Sequence, residues 1–180
     1  MMKNVLAGLV LAAALSLPAA AALKVGDTAP DFTTQASLGG KVFDFHLADA
    51  LKQGPVVLYF YPAAFTTGCT FEAHAFADAM DRFKALGATV IGVSHDNIET
   101  LNKFSVSECR SKFPVASDAD QHIMKAYDAV LAKHPEYADR TSYVIAPDGK
   151  VIYEYTDMNW EHHVENTLAA VQKWRDDHAH

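Results

Sequence analysis

A continuous run of apolar, β-favouring residues constrains this sequence more than any other feature. Val56–Tyr61 reads Val-Val-Leu-Tyr-Phe-Tyr without a polar residue, and Pro62 ends the run. Such a run predicts a central strand that is buried on both faces. Over Thr67–Leu86 the apolar residues instead recur at helical spacing, and Gly87 stops the predicted helix. The sequence therefore predicts a buried strand that leads directly into a helix.

The remaining elements follow the same alternation. In chain order they are a hairpin turn at Gly39-Gly40, a second buried strand over Thr89–Ser94, a helical stretch through Ile98, Leu101 and Phe104, a third strand over Arg140–Ile145, a turn at Pro147-Asp148-Gly149, a fourth strand over Val151–Tyr155 and a last helix over Trp160–Asp176. Strand, helix, strand, helix, hairpin and helix is the order of a thioredoxin-like α/β fold, with a central mixed β-sheet flanked by helices.

The first 22 residues have the features of a secretory signal peptide. Lys3 precedes an apolar run over Val5–Leu17, and the alanines at Ala20–Ala22 offer a cleavage site. The run is shorter than the roughly 20 residues that span a hydrocarbon core, although an uncleaved membrane anchor is the alternative. We therefore expect residues 1–22 to be removed and residues 23–180 to form one domain. The mature chain is expected to be periplasmic or secreted, without membrane insertion.

The composition of the chain argues against several classes of protein. The 180 residues carry a formal charge of −7, which disfavours nucleic acid and anionic lipid as partners. Two cysteines are too few for a disulfide-dense scaffold or a Cys-rich zinc fold. Nine histidines invite a metal interpretation, but His162-His163 and the tail His178-x-His180 lack ligands at metal-binding spacing. We expect neither a metal nor another cofactor.

Cys69 lies just after the buried strand, in the first turn of the predicted helix. Unpaired backbone N–H groups and the helix dipole favour an anion at that position, so a thiolate would be stabilised there. A thiolate within reach of substrate is a nucleophile. Position alone leaves open the alternative of a structural cysteine.

The residues around Cys69 decide between these alternatives. Pro62-x-x-x-Thr66-x-x-Cys69 resembles the active-site motif of the peroxiredoxins, and Gly68-Cys69-Thr70 with Glu72 is similar to their Q branch, the bacterioferritin comigratory proteins. The resemblance covers residues 23–157 and includes Gly92-Val93-Ser94-x-Asp96 and the arginine Arg140 that opens the third strand.

The resemblance implies a role for each motif residue. The Cys69 thiolate would attack a peroxide oxygen and become a sulfenic acid. The Thr66 hydroxyl, the Cys69 amide and the Arg140 charge would stabilise the oxygens, and Pro62 would shield the pocket from water. From the residues alone, Thr66 could instead be a helix N-cap, Arg140 a surface ion-pair partner and Pro62 a strand terminator. Glu72 is interpreted as structural, orienting Arg140.

The second cysteine is the candidate for resolving the sulfenic acid. Many Q-branch members place a resolving cysteine five residues after the nucleophile, but here that residue is His74, interpreted as an ordinary side chain. The other thiol, Cys109, lies at or just past the end of the helix that follows the second strand. The favoured hypothesis is an intramolecular Cys69–Cys109 disulfide, which requires local unwinding around Cys69. A one-cysteine enzyme that uses an external thiol and a dimer-bridging disulfide remain alternatives.

The resemblance thus implies a thiol-dependent peroxidase that reduces hydrogen peroxide and organic hydroperoxides. Its partners would be the peroxide and a thioredoxin-like or glutaredoxin-like dithiol reductant, and its expected state is a monomer or weak dimer. Two rivals use the same cysteine pair: a non-enzymatic module in which Cys69–Cys109 is a permanent staple, and a disulfide exchanger.

Overall fold

The computed structural model describes residues 22–179. The strands are β1 (Thr33–Leu38), β2 (Lys41–His46), β3 (Val56–Phe60), β4 (Thr89–Ser94), β5 (Val115–Ser117), β6 (Thr141–Ile145) and β7 (Val151–Thr156). The helices are α1 (Leu47–Leu51), α2 (Thr67–Ala85), α3 (Ile98–Ser107), α4 (His122–Ala126) and α5 (His163–Asp177), and a 3₁₀ turn over Trp160–His162 precedes α5. The signal-peptide prediction falls on residues 1–22, of which all but the last lie outside the described residues.

The seven strands form one mixed sheet in the order β2-β1-β5-β4-β3-β6-β7. The β3–β4 and β4–β5 pairs are parallel, and the other pairs are antiparallel. β3 lies between β4 and β6, and all five of its residues are buried. The thioredoxin-like fold with a central mixed sheet is therefore confirmed.

Alternation along β3 divides the core into two layers. Val57, Tyr59 and the following Tyr61 face a cluster that also contains buried residues of α2, α3 and α5, whereas Leu58 and Phe60 face a second cluster with residues of α1 and α4. Successive side chains of a strand point to opposite faces, so a run without polar residues can serve two apolar layers at once. Both cysteines belong to the first cluster.

The predicted element boundaries differ from the structure by a residue or two. β3 ends at Phe60, although the Tyr61 amide still donates to the Val93 carbonyl at 3.1 Å. β6 begins at Thr141, one residue after Arg140. The last helix opens with the 3₁₀ turn. The Gly39-Gly40 turn between β1 and β2 is confirmed, and both glycines have the positive φ that a tight hairpin turn requires.

Candidate active site

Cys69 is the third residue of α2 and is buried. The first helical hydrogen bond runs from the Thr70 amide to the Thr66 carbonyl, at 2.9 Å. Helix geometry leaves the preceding amides without helical acceptors, and the positive end of the helix dipole lies at the same place. The Cys69 sulfur therefore lies where the backbone favours an anion.

Arg140 reaches Cys69 because of how β6 pairs with β3. The register places Thr141 opposite Phe60, so the residue before β6 lies at the sheet edge where the chain leaves β3 for α2. Nη2 of Arg140 lies 3.4 Å from Sγ of Cys69. Nε donates to the Met158 carbonyl at 3.1 Å, which fixes the guanidinium plane. The interpretation of Arg140 as a surface ion-pair partner is wrong, since the side chain is buried.

Glu72 binds the other side of the same guanidinium. Its Oε2 accepts from Nη1 of Arg140, and its side chain is fully buried. Burial raises the pKa of the Glu72 carboxyl, and the charge of Arg140 opposes that rise. One buried cation therefore faces two groups that can be anionic, Glu72 and Cys69.

His163 completes this buried network behind Glu72. Its Nδ1 lies 3.9 Å from Oε1 of Glu72. Nε2 donates to the Asp157 carbonyl at 2.8 Å, and Nδ1 lies 2.8 Å from Oγ of Ser142. Burial lowers the pKa of His163 to about 4, so the ring is neutral near pH 7. Since Nε2 carries the proton, Nδ1 accepts the Ser142 hydroxyl hydrogen.

Residues after β4 hold the loop that leads into α2. Nδ1 of His95 donates to the Pro62 carbonyl at 3.0 Å, and Oδ2 of Asp96 accepts the Ala64 amide at 2.7 Å. Pro62 is half-buried at the beginning of this loop. The parallel β3–β4 pair brings the two strand ends to the same sheet edge, which explains how a distant segment fixes the loop.

Thr66 occupies the N-cap position of α2, but its side chain makes no capping bond. Its hydroxyl instead donates to the Ala63 carbonyl at 2.9 Å, and the residue is exposed. The backbone before it is unusual, since Phe65 has φ of 64°, a conformation that side-chain-bearing residues seldom adopt. Because the hydroxyl hydrogen is donated to Ala63, the Thr66 hydroxyl oxygen can still accept a hydrogen bond.

Cys109 lies two residues past the end of α3 and is fully buried. Burial raises the pKa of its thiol far above the ordinary range, and the charge of Glu108 adds to the rise. Both cysteines are free. They belong to the same apolar cluster.

Three features of the site were not predicted. His163 and Ser142 carry no local signal, because their roles depend on how α5 packs against β6. Gly68 is the third: a Cβ there would lie 3.2 Å from Nη2 of Arg140, so the guanidinium occupies the space that a side chain would need. The match of Gly68 to the motif was the available hint.

In the part of the chain that the structure describes, one group of three side chains lies close enough together to bind a metal ion: Asp118, Asp120 and His122. Both carboxylate oxygens of Asp118 already accept hydrogen bonds from the amides of Ile123 and Met124 at the start of α4, and so serve as a helix cap.

Within residues 22–179, the helices are all too short or too polar to cross a bilayer.

Comparisons with known proteins show which family and fold the chain is similar to. The model of the AhpC/TSA family matches residues 25–154. Peroxiredoxin Bcp of Escherichia coli strain K12 is 33% identical over 162 residues, covering 87% of this chain and 98% of the relative. The chloroplastic peroxiredoxin Q of Oryza sativa subsp. japonica is 34% identical over 148 residues, covering 82% of this chain and 66% of the relative. The crystal structure of peroxidoxin BcpB from Mycobacterium tuberculosis superposes with a TM-score of 0.76 at 32% identity, covering 84% of this chain and 97% of that one.

Proposed function

The chain belongs to the AhpC/TSA family and is a peroxiredoxin, a thiol peroxidase, and we propose that Cys69 is the sulfur that peroxide oxidises and that Cys109 resolves the product. The observation that carries the first assignment is the contact of 3.4 Å between Nη2 of Arg140 and Sγ of Cys69 at the beginning of α2. A guanidinium and a helix N-terminus together favour the thiolate, which is the nucleophilic form.

In the first step the thiolate attacks one peroxide oxygen. An S–O bond forms, the O–O bond breaks, and Cys69 becomes a sulfenic acid while the peroxide is reduced. The leaving oxygen develops negative charge and departs as water or an alcohol after it takes a proton. Arg140 and the Cys69 amide stabilise that charge, and the Thr66 hydroxyl oxygen accepts a hydrogen bond from the peroxide. Pro62 limits access of water from the loop side.

In the second step the Cys109 sulfur attacks the sulfenic acid. The S–S bond forms, the S–O bond breaks, and the hydroxyl leaves as water with the proton of the Cys109 thiol. Two sulfurs bond only when their Cα atoms lie within about 7 Å. Cys69 and Cys109 are buried in separate elements, and we propose that the first turn of α2 unwinds to let the disulfide form. A dithiol protein of the thioredoxin or glutaredoxin type then reduces the disulfide.

Mass spectrometry after one equivalent of hydrogen peroxide tests the resolving step. The expected product has lost two hydrogens, and both Cys69 and Cys109 resist alkylation. A Cys69 sulfenic acid with Cys109 still free to alkylate would refute the assignment of Cys109 and favour an external thiol. A disulfide-linked dimer would point to resolution between chains.

We also propose that the protein is exported. The support is Lys3, the apolar run over Val5–Leu17 and the alanines before residue 23. Export would place the enzyme in the bacterial periplasm as a monomer or weak dimer, and its reductant would be a dithiol domain in the same compartment. Expression with the intact N-terminus in a Gram-negative host should give a periplasmic species that lacks residues 1–22. Full-length protein in the cytoplasm would contradict export, and a chain starting at residue 23 is the control.

A further inference from the structure

A hydrogen bond and an ion pair connect residues 108–110, the segment that carries Cys109, to α2. Nε2 of His74 lies 2.8 Å from Oε2 of Glu108, and Nη1 of Arg110 lies 2.5 Å from Oδ1 of Asp78. His74 and Asp78 are one turn apart on the same face of α2. Glu108 and Arg110 flank Cys109 on either side. Both contacts therefore hold this segment against the part of α2 that follows its first turn.

The β1–β2 turn contacts the chain on both sides of this segment, at Ser105 in α3 and at Ser111. The Gly40 amide donates to Oγ of Ser105 at 3.0 Å. A Cβ at Gly39 would lie 3.1 Å from Cβ of Ser111, so the glycine allows the two backbones to approach closely. The segment is thus enclosed between α2 and the hairpin turn, with the Cys109 side chain fully buried.

The backbone of this segment is strained in the closed position. Arg110 has φ of 50° and Ser111 has φ of 55°, both in the left-handed region that L-residues with side chains disfavour. Two such residues in succession persist only where surrounding contacts hold them. Release of those contacts allows the segment to relax and move away from α2.

We propose that the pairs His74–Glu108 and Asp78–Arg110 form a latch, called here the Cys109 latch, whose opening sets the rate at which Cys109 resolves oxidised Cys69. The inference rests on the proposed function, in which Cys109 forms the disulfide. In the latched position the Cys109 thiol is enclosed in an apolar cluster, where loss of its proton is unfavourable. Opening the latch exposes the thiol to water, so that it can ionise and attack the sulfenic acid.

The solvent exposure of the four side chains determines how much loss of each contact should change the rate of disulfide formation. Relative exposure is 45% for Arg110 and 70% for Asp78, and it is 32% for His74 and 20% for Glu108. A hydrogen bond or an ion pair that water reaches this well changes an equilibrium by about 1.5- to 5-fold. Loss of one contact should therefore accelerate disulfide formation about 1.5- to 5-fold, and loss of both about 2- to 25-fold.

Charge reversal tests the latch. The variants are Asp78→Arg, Arg110→Asp and the double reversal, with His74→Ala for the hydrogen bond to Glu108, which alanine cannot make. Arg82→Glu is the matched control, since Arg82 lies on α2 and pairs with Glu165 of α5 at 2.8 Å with similar exposure. One equivalent of hydrogen peroxide is added, and the reaction is quenched over time with an alkylating agent and analysed by intact mass. This separates loss of the Cys69 thiol from appearance of the disulfide.

We expect each single variant to form the disulfide faster while the peroxide step keeps its wild-type rate. The double reversal restores the ion pair and should return the rate to within about twofold of wild type. Single variants that match wild type and Arg82→Glu, or a double reversal that stays fast, would overturn the latch. Failure of the wild type to form a Cys69–Cys109 disulfide would instead refute the assignment of Cys109, so the two failures are distinguishable.

Discussion

The substitution Arg140→Met tests how much the positive charge of Arg140 contributes at Cys69 and at Glu72. Methionine keeps the apolar stem but removes the guanidinium, whose Nη2 lies 3.4 Å from Sγ of Cys69. It also leaves the buried Glu72 carboxyl without its cation. The double variant Arg140→Met/Glu72→Gln removes both charges and separates the two consequences.

The expected loss of rate follows from the distance between Nη2 of Arg140 and Sγ of Cys69. Unit charges 3.4 Å apart attract by about 5 kcal/mol at an effective dielectric constant of about 20. Because Arg140 is shared with Glu72, the loss at the transition state should be closer to 3 or 4 kcal/mol, about 10²- to 10³-fold in rate. The unpaired Glu72 should cost the single variant a further ~3 to 5 kcal/mol of unfolding free energy, most of which Glu72→Gln restores.

The assay pairs stopped-flow measurement of the first peroxide turnover with urea unfolding. We expect both variants to be slow and only the single variant to be strongly destabilised. A double variant that reacts with peroxide at the wild-type rate would refute the reasoning, because Arg140 would then act only by neutralising Glu72.

Three further substitutions test other parts of the site. Gly68→Ala places a Cβ 3.2 Å from Nη2 of Arg140, and displacement of the guanidinium should lower the first-turnover rate about tenfold. Thr66→Val should lower kcat/KM about 10- to 100-fold but change the unfolding free energy by less than ~0.5 kcal/mol, because the side chain is exposed and caps nothing. Burial lowers the pKa of His163 from 6.5 to about 4. Between these two pH values the unfolded chain binds more protons than the folded protein does. The free energy of unfolding should therefore fall by up to about 3 kcal/mol as the pH is lowered from 6.5 to 4. Urea unfolding at pH 7 and pH 4 should show a smaller difference for His163→Gln than for the wild type, and an equal difference would contradict the neutral ring.

The centre of the fold could be predicted because its patterns leave few alternatives. An uninterrupted apolar run at Val56–Tyr61 fits only an element that is covered on both sides, and Gly87 ends α2 with the positive φ of 71° that favours glycine. The hairpin turn at Gly39-Gly40 was predicted for the same kind of reason.

The short elements could not be predicted. α1 and α4 have five residues each and β5 has three, which is too few for a periodic pattern. The start of α4 depends on the Asp118 carboxylate, whose capping role is visible only in three dimensions. The pairing of β1 with β5 joins segments far apart in sequence.

The motif is sufficient to predict Cys69 as the reactive cysteine, whereas the surroundings of Cys69 depend on tertiary structure. The family resemblance predicts Arg140 as a site residue, and its position beside Cys69 follows from the pairing of β6 with β3. The contacts of Glu72 with Arg140 and His163 bring together three segments that no spacing rule connects. His74 was interpreted as an ordinary side chain, and only the structure shows that it contacts Glu108, next to Cys109.

The central claim is that Cys69 is the sulfur that peroxide oxidises. The most direct test measures hydrogen peroxide consumption by Cys69→Ser and Cys109→Ser without added reductant, against the wild type. We predict that Cys109→Ser consumes its first equivalent of peroxide at the wild-type rate, whereas Cys69→Ser consumes none above background. Peroxide consumption by Cys69→Ser at the wild-type rate would contradict the account.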